Sequence, residues 1–455
     1  MIDFTKFEKY SRPGPRYTSY PTAPEFNTSF TQEDLISKFK SQNSQRPLSL
    51  YIHIPFCRSA CYFCGCNVIF TSKEDKKTRY ISYLKKELEI LAKHLDTNRT
   101  VTQMHFGGGT PTFLDPSQLK EVLDAIRQTF PNFSDDAEVS CEVDPRFFEQ
   151  GHMDVLKEAG CNRLSFGVQD LDPQVQKTIH RIQPFETTQN VVKIARDAGI
   201  KSVNIDLIYG LPHQTKETFA KTIRDIVKLH PDRLAVFNYA HVPWMMKTQR
   251  KFDETTFAPP STKLEILKDC IEFFGDNGYN MVGMDHFAKP EDELFKAIQK
   301  GELHRNFQGY TTKGGADLVG IGVTSIGDGV DYYVQNFKDL KSYEEALDNG
   351  DLPVFKGYSL NDDDILRQFV IMELMAHFSL DMKNVEKEFN INFREYFADA
   401  LKMLEEFVEA ELITIIDDKI SVNQTGMMLI RNISMPFDAY LHKIPEDQRR
   451  FSKTI

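Results

Sequence analysis

The sequence predicts an α/β protein in which a parallel sheet with outer helices curls into a partial barrel of six strand–helix units. A smaller, mostly helical domain follows. Three observations predict this fold. Short apolar strands alternate with amphipathic helices between residues 48 and 245. Right-handed crossovers between such strands curl the sheet towards a barrel. After about residue 360 the pattern changes to helices followed by a hairpin.

The strands of the barrel are predicted from short apolar runs, several with a two-residue period, at 48–54, 101–106, 137–143, 163–168, 202–208 and 233–240. The helices between them are predicted at 75–95, 116–130, 152–159, 185–198 and 215–229. In parallel α/β folds the chemistry lies at the carboxyl ends of the strands. We therefore expect the polar residues and glycines that follow these strands to share one site.

Two further units flank the barrel, which belongs to a domain predicted at 46–360. The N-terminal arm, 1–45, has four prolines and a glycine within 12–24 and a short helix at 31–41, and is either a loose tail or an ordered flap. The C-terminal domain, 361–455, has helices at 361–377, 383–388 and 394–409, a hairpin around 417–419 and a last helix from Thr425. This order resembles a winged-helix unit, for which a packing or lid role is favoured over DNA binding.

Composition limits the partners. Lysine and arginine number 55 against 66 aspartates and glutamates, a net charge of −11, which argues against broad binding to nucleic acid or anionic membranes. No run of about 18 apolar residues predicts a membrane span. The N-terminus has no apolar signal segment, so we expect a cytoplasmic protein.

Four of the seven cysteines lie within ten residues, at Cys57, Cys61, Cys64 and Cys66. In a cytoplasmic chain such a group indicates metal or redox chemistry rather than disulfides. Zinc is one alternative, but it commonly takes two separated cysteine pairs. The C-x3-C-x2-C spacing instead favours a 4Fe–4S cluster held by three thiolates, with one iron open to a further ligand.

The chain resembles the radical S-adenosylmethionine (SAM) superfamily in three places. The cysteine loop follows the first strand, a glycine run at 107–109 follows the second, and Glu142 and Asp206 lie at the ends of later strands. Glycine lets the backbone approach a ligand closely. Each carboxylate taken alone is more often a structural group than a functional one.

A closer resemblance extends over nearly the whole chain, to the oxygen-independent coproporphyrinogen III oxidases of haem biosynthesis. It is carried by the stretches 15–23, 50–57, 61–67, 107–112, 142–146, 166–170, 204–212, 236–241, 283–288, 304–312 and 429–433. Phe106, Phe166 and the stretch 244–246 depart from the family pattern, which leaves the chemistry undisturbed.

The family resemblance implies roles for individual residues. Cys57, Cys61 and Cys64 would hold the cluster, with Cys66 near it, and two SAM molecules would bind. The implied first SAM site consists of Tyr51, Gly108, Glu142 and Ile326, of which Tyr51 and Glu142 would be catalytic. The implied second site consists of Phe63, Gly109, Thr110, Gln169, Arg181, Asp206 and Ala240. Arg181 could meet a carboxylate with both nitrogens, and Phe63 could stack on adenine.

The implied reaction is an oxidative decarboxylation without oxygen. The ring A and B propionates of coproporphyrinogen III would become vinyls, giving protoporphyrinogen IX, while SAM is cleaved to methionine and a 5′-deoxyadenosyl radical. Because the substrate carries four carboxylates, its candidate contacts are basic or hydrogen-bonding: Arg16, Tyr20, Arg305, Asn306, Phe307 and Gln308. A flavodoxin- or ferredoxin-type protein would be the electron donor, the acceptor is unknown, and the enzyme would be a monomer.

Three alternatives remain open at the level of the sequence. A haem chaperone on the same scaffold would lack a counterpart of Cys66. A haem-modifying radical SAM methyltransferase would add a methyl group instead of releasing carbon dioxide. A DNA-binding redox sensor would need a basic recognition face, which the acidic composition disfavours.

Overall fold

A twelve-stranded sheet forms the centre of the computed structural model, which describes residues 2–41, 45–445, 448–449 and 451–454. Its first eight strands are β1 (Leu48–Ile54), β2 (Val101–Gly108), β3 (Phe133–Val143), β4 (Arg163–Gln169), β5 (Ser202–Tyr209), β6 (Arg233–Asn238), β7 (Asn280–Met281) and β8 (His286–Ala288). A separate hairpin of β9 (His304–Asn306) and β10 (Gly309–Thr311) follows in the chain. The last four strands of the sheet are β11 (Asp317–Ile321), β12 (Ile326–Asp328), β13 (Tyr332–Asn336) and β14 (Val354–Ser359).

The strand order is β14-β13-β12-β11-β1-β2-β3-β4-β5-β6-β8-β7. Strands β1 to β6 are parallel and pair in chain order, and β11 adds a further parallel strand beside β1. Antiparallel strands extend both edges, with β12, β13 and β14 on one side and β8 and β7 on the other. The predicted parallel core is therefore confirmed, and the segment after residue 245 continues the same sheet at both of its ends.

A four-residue helix, Phe7–Tyr10, lies in the N-terminal arm. The helices after it are α1 (Gln32–Ser41), α2 (Glu74–Leu91), α3 (Pro116–Thr129), α4 (Gln150–Glu158), α5 (Pro173–Thr178), α6 (Phe185–Asp197), α7 (Lys216–Val227), α8 (Pro260–Asp276), α9 (Glu293–Lys300), α10 (Leu340–Asp348), α11 (Asp362–His377), α12 (Met382–Phe389), α13 (Phe393–Tyr396), α14 (Ala398–Glu409), α15 (Gln424–Met428) and α16 (Ile430–Ser434). No helix within the described ranges is long and apolar enough to span a membrane.

Most predicted elements appear within a few residues of their expected ends. The largest differences are at the third strand, which begins at Phe133 rather than 137, and at the first barrel helix, which ends at Leu91 rather than 95. The sixth strand ends at Asn238 rather than 240. Helix α5 was not predicted, because its six residues are too few to show a helical period. Its start has clear local causes, since Asp172 accepts hydrogen bonds from the amides of Gln174 and Val175 and Pro173 occupies the first turn.

Strand β5 illustrates how the alternating sequence directs polar groups into the barrel. Val203, Ile205 and Leu207 are fully buried, whereas Asn204 and Asp206, on the opposite face, are partly exposed. Successive side chains of a strand point to opposite faces. The apolar set therefore packs beneath the outer helices, and Asp206 is directed towards the inside.

The C-terminal domain has the predicted hairpin, formed by β16 (Ile413–Ile416) and β17 (Lys419–Val422). Asp417 and Asp418 turn the chain with φ of 48° and 61°, as a two-residue hairpin turn requires. A third strand, β15 (Ser379–Asp381), pairs with β17. The order α11, β15, α12, α14, β16, β17 is that of a winged helix.

The N-terminal arm packs against this C-terminal domain. Tyr17 and Tyr20 are buried, and the Tyr17 hydroxyl donates to Asp438 Oδ2 over 3.0 Å. The buried Arg431 guanidinium donates to the carbonyls of Gly14 and Pro15. Because buried backbone carbonyls are satisfied by these donors, the arm is held as an ordered segment rather than as a loose tail.

Candidate active site

A pocket of about 260 Å³ lies at the carboxyl ends of the parallel strands. Twelve of the residues that the sequence singled out line it: Cys57, Cys61, Phe63, Cys64, Cys66, Gly108, Gly109, Thr110, Glu142, Gln169, Arg181 and Asp206. They come from the loops after β1 and α5 and from the ends of β2, β3, β4 and β5. The parallel topology therefore brings together residues that are up to 149 positions apart, from Cys57 to Asp206.

The cysteine loop is fixed by backbone hydrogen bonds rather than by disulfides. All seven cysteines are free. Cys57 belongs to a short strand, Phe56–Cys57, which pairs with Ile69–Phe70 and closes the loop. The Cys64 amide donates to the Cys61 carbonyl over 3.2 Å, and the Tyr62 amide donates to the carbonyl of Ile179 over 3.0 Å. The loop thus presents its thiols to one pocket.

The thiols differ in their surroundings. A hydrogen bond from Cys66 and the charge of Arg181 lower the pKa of Cys64 to about 7, although burial acts in the opposite direction. Burial raises the pKa of Cys57 to about 12, and its Sγ lies 3.4 Å from Thr110 Oγ1. Of these two thiols, Cys64 is therefore the more readily deprotonated. The thiolate is the form of cysteine that binds metal.

Two arginines and an aspartate surround Cys61, and of these only Arg181 was selected from the sequence. Arg146 Nη2 and Arg181 Nη1 each lie 3.6 Å from Cys61 Sγ, and both guanidinium groups also pair with Asp144 Oδ2, at 2.6 and 3.0 Å. Asp144 and Arg146 belong to the stretch 142–146 that carries the family resemblance, but nothing in their spacing points to a thiol. Two positively charged groups therefore lie beside the Cys61 sulfur.

The glycine run provides space that a side chain would fill. Gly108 has a φ of +110°, and a Cβ there would lie 2.6 Å from the His53 ring. A Cβ on Gly109 would lie 2.8 Å from the Phe56 carbonyl oxygen. Glycine at both positions therefore allows β2 to pass close to the cysteine loop, where its backbone faces the pocket.

Polar side chains of β1, β2 and β3 meet beside this run. The Tyr51 hydroxyl lies 3.1 Å from His53 Nδ1, and the Tyr51 ring stacks on His105 with centroids 5.9 Å apart. His105 Nε2 lies 3.3 Å from Glu142 Oε1. Burial lowers the pKa of His53 to about 4, so this imidazole is neutral at pH 7. Glu142 keeps half of its side chain exposed and can reach a ligand.

Asp206 is a partly buried carboxylate of the pocket. Burial raises its pKa to about 6, although Ser165 Oγ donates to it over 2.8 Å and Asn204 over 2.7 Å. Gln169, at the end of the neighbouring strand, has a φ of 72°. Non-glycine residues in this left-handed region are uncommon and concentrate at functional sites.

Three of the residues predicted for the SAM sites lie outside the pocket lining. Tyr51 is adjacent to it, since its ring lies against Gly107. Ile326 packs with Phe26 and Phe307 in a separate apolar cluster. Ala240 lies beyond the end of β6 and lines a second cavity.

Gln249, a residue that the sequence did not indicate, links Ala240 to the cysteine loop. Its buried amide donates to the Phe63 carbonyl over 3.0 Å and to the Ala240 carbonyl over 3.3 Å. A buried amide with two acceptors fixes the separation of the segments that it joins. Phe63 and Ala240 are therefore held near each other.

The candidate substrate residues divide into three groups. Arg16 pairs with Asp285 over 3.2 Å, and its carbonyl accepts a hydrogen bond from Arg305 over 3.4 Å. Asn306, Phe307 and Gln308 form the turn between β9 and β10, where the Phe307 ring lies 5.8 Å from that of Tyr333. The buried Tyr20 hydroxyl accepts a hydrogen bond from the Ala439 amide over 3.1 Å, so this hydroxyl already has a partner within the protein.

The residues fit a cluster rather than a single ion. Within the described part of the chain, no group of three histidine, cysteine, aspartate or glutamate side chains is arranged to hold one metal ion. Each thiolate of a 4Fe–4S cluster binds a different iron, so the sulfur atoms need not converge on one point. The free thiols, two nearby guanidinium groups and a cradle of small residues provide this environment.

Comparison with known proteins places this geometry in context. The radical SAM superfamily matches residues 51–226, and the HemN C-terminal domain matches residues 360–429. The chain is 57% identical over 457 residues to the oxygen-independent coproporphyrinogen III oxidase of Helicobacter pylori (strain J99 / ATCC 700824), with 100% of this chain and 99% of the relative covered. Its identity to the Escherichia coli (strain K12) protein of the same name is 45% over 453 residues, with 100% of this chain and 98% of the relative covered.

A solved structure is similar over almost the whole chain. It is described as coproporphyrinogen III oxidase (HemN) from Escherichia coli, a radical SAM enzyme, and it matches with a TM-score of 0.92 and 43% identity. The match covers 97% of this chain and 99% of that one. The barrel, its extension and the C-terminal domain are therefore shared as one arrangement.

Proposed function

The chain belongs to the family of oxygen-independent coproporphyrinogen III oxidases, which are radical SAM enzymes, and from this premise we propose how its residues carry out the reaction. The reaction is the oxidative decarboxylation of the ring A and B propionates of coproporphyrinogen III to vinyls. The observation that carries the proposal is the convergence of Cys57, Cys61 and Cys64 with the glycine run and two strand-end carboxylates on one pocket.

Membership of the superfamily implies a 4Fe–4S cluster and SAM. We assign Cys57, Cys61 and Cys64 as the cluster ligands and Cys66 as a neighbour. The support is that Cys66 lowers the pKa of Cys64, while Arg146 and Arg181 lie beside Cys61. When bound, the cluster and SAM supply one-electron chemistry that removes a hydrogen atom from the substrate.

The residues of the pocket are assigned to two SAM molecules. Tyr51, Gly108, Glu142 and Ile326 would serve the molecule on the cluster, and Phe63, Gly109, Thr110, Gln169, Arg181, Asp206 and Ala240 the second. The exposed Glu142 provides a carboxylate for ligand hydroxyl or ammonium groups. The small residues Gly108 and Gly109 leave room for a ligand. Both features support this division. Arg181 Nη1 donates to Asp144 and Arg181 Nη2 donates to the Gly167 carbonyl, so Arg181 orients the residues of this site.

The substrate carboxylates require cationic groups, and Arg305 is the best supported of the candidates. Its Nε and Nη1 are buried and have no hydrogen-bond partner among the described residues. An unpaired buried guanidinium nitrogen is costly unless a ligand satisfies it. We therefore assign Arg305 and Arg16 to carboxylate binding, with Asn306, Phe307 and Gln308 in the adjoining turn.

The remaining assignments concern the whole protein. We propose a cytoplasmic monomer with an arm at 1–45, a catalytic domain at 46–360 and a C-terminal domain at 361–455. A flavodoxin- or ferredoxin-type protein would reduce the cluster. The enclosed site would keep water and oxygen from the reacting groups and hold one propionate C–H bond in position.

One anaerobic assay tests the proposal. Protein reconstituted with iron and sulfide is supplied with reductant, SAM and coproporphyrinogen III, and the products are read by mass. The expected result is two successive losses of carbon dioxide and two hydrogens. Gain of a methyl group would indicate the methyltransferase, and retention of haem without decarboxylation would indicate the chaperone; either result would overturn the proposal.

A further inference from the structure

A second and larger cavity, of about 820 Å³, lies beside the pocket of the cysteine loop. The end of β6, helix α8, the N-terminal arm and the C-terminal segment form its walls, which include Trp244, Leu267 and Phe451. Cavities of this size accommodate organic ligands of several rings. The volume therefore suits a ligand much larger than an amino acid.

The charge of the lining is opposite to that of the whole chain. Arg16, Lys263, Arg431, Arg449 and Lys453 line the cavity, and Asp285 is the one acidic residue among its described lining residues. The chain as a whole carries a net charge of −11. A cavity that concentrates cations against this background attracts a ligand with several negative charges.

Lys263 offers its ammonium group to such a ligand. Arg431 is occupied by backbone carbonyls and Arg16 by Asp285, whereas the Lys263 ammonium forms no hydrogen bond or ion pair within the described chain. Its stem packs over Gly210, where a Cβ would lie 2.9 Å from Lys263 Cε. Burial and the nearby Lys453 lower the pKa of Lys263, a direction that a bound carboxylate would reverse.

Arg16 connects the two cavities. It lines the larger one, and its guanidinium carbon lies 5.9 Å from the centroid of the Phe237 ring, which lines the pocket of the cysteine loop. A ligand that fills the larger cavity would therefore meet Arg16 on the side that faces the cysteine loop. Lys263 and Arg449 belong to other walls of the same cavity.

We propose that the larger cavity holds the substrate macrocycle, with Lys263 and Arg449 binding the propionates that do not react. Arg16 then binds the propionate that faces the cysteine loop. This inference rests on the proposed function, because it takes the ligand to be a porphyrinogen tetracarboxylate. Charge-assisted bonds from lysine and arginine to carboxylates supply the specificity.

Trp244 allows the proposal to be tested without turnover. It is the single tryptophan of the chain and lines the cavity, so quenching of its fluorescence reports binding there. The probe is coproporphyrin III, the stable oxidised form of the macrocycle, titrated into the holoenzyme without reductant. Lys263→Glu and Arg449→Glu should each weaken binding roughly tenfold or more, since one charged contact is worth about 1.4 kcal/mol or more. The loss should be largest at low ionic strength.

Lys268→Glu is the matched control, because Lys268 lies on the same helix, is exposed and does not line the cavity. It should leave both the quenching and the decarboxylation unchanged. In steady-state assays Lys263→Glu should raise KM for coproporphyrinogen III with kcat within twofold. Circular dichroism establishes that each variant folds.

The outcomes separate this inference from the proposed function. Two results would overturn the cavity assignment alone. One is wild-type turnover together with Trp244 emission that does not change on porphyrin binding. The other is wild-type affinity for the porphyrin in both charge-reversed variants. Cavity binding that is weakened in Lys263→Glu, in a wild-type protein that does not decarboxylate, would support the assignment and overturn the proposed function.

Discussion

At the scale of single residues, the four clustered cysteines are not equivalent. Cys61 lies between two guanidinium groups, Cys64 accepts from Cys66, and Cys57 is buried beside Thr110. Their spacing in the sequence predicted a cluster, whereas these surroundings depend on residues up to 120 positions away, as for Arg181 and Cys61. The fourth thiol, Cys66, acts on Cys64 in this structure, which is consistent with a supporting role.

The first prediction concerns Cys61. Cys61→Ser should abolish both decarboxylation and the brown colour of the reconstituted protein, because serine is a poor ligand for iron in a cluster. Iron content and the visible absorption spectrum measure the loss. Cys270→Ala, which removes a buried thiol far from the pocket on α8, should retain the colour. Full cluster content in Cys61→Ser would contradict the ligand assignment.

The second prediction concerns the pair of Arg181 and Asp144, both almost fully buried. Burial alone would raise the pKa of Asp144, but Arg181 and Arg146 hold it below its ordinary value. A carboxylate with a lowered folded-state pKa stabilises the protein above its unfolded pKa, and this contribution is lost as pH falls through the folded value. Arg181→Met should therefore destabilise the protein by about 1–3 kcal/mol at pH 7 and by less near pH 4.

Urea unfolding of the apoprotein at the two pH values measures this difference. Arg79→Met removes an exposed ion pair with Glu344 and should change the unfolding midpoint little at either pH. A loss of stability in Arg181→Met that is independent of pH would show that Asp144 is not the group that Arg181 stabilises.

At the scale of elements, helix α2 is joined to the far edge of the sheet by a buried carboxyl. Glu87 accepts hydrogen bonds from the Gly322 amide, the Asn336 side chain and the Tyr343 hydroxyl, at 2.7, 2.7 and 2.6 Å. The helix itself was predicted from its apolar period, since Tyr80, Leu84 and Leu88 form its buried face. The partners of Glu87 come from residues after 320, which no local pattern indicates.

The third prediction follows from this carboxyl. Burial raises the pKa of Glu87 from 4.5 to about 7 despite its hydrogen bonds. Because the folded-state value is the higher one, the contribution of Glu87 to stability is greatest below pH 4.5 and is lost as pH rises to about 7, a change of roughly 3 kcal/mol. Glu87→Gln should flatten this slope in urea unfolding between pH 5 and 7.

Glu89→Gln provides the matched control on the same helix, because Glu89 is exposed. Its unfolding should keep the wild-type dependence on pH. An unchanged slope in Glu87→Gln would mean that another group causes the dependence.

At the scale of the whole molecule, the two ends of the chain pack together. Besides the contacts of Arg431 with the arm, Asn432 donates to the Tyr10 carbonyl over 2.8 Å, and the Thr454 amide donates to the Arg12 carbonyl over 3.0 Å. The same arm supplies Arg16 to the larger cavity. The C-terminal domain therefore supports the arm, which favours the packing role expected for the winged-helix unit.

The fourth prediction tests the arm. Deletion of residues 1–30 should abolish turnover, because it removes Arg16 and opens the wall of the larger cavity. The cluster should still assemble, since its predicted ligands lie in the loop after β1, and iron content provides this control. Unchanged turnover in the truncated protein would contradict a role for the arm in the reaction.

The parallel core, the cysteine spacing and the strand-end residues are predictable from the sequence, because apolar periods and ligand spacing are local properties of the chain. The contacts by which Asp144, Arg146 and Gln249 support the pocket, and the position of Lys263 and Arg449 beside Arg16 in the larger cavity, appear only in the folded protein. The fold also places Ala240 beyond the sixth strand and Ile326 in an apolar cluster outside the pocket lining. Such contacts depend on how distant segments pack, and packing leaves no period in the sequence that would reveal them.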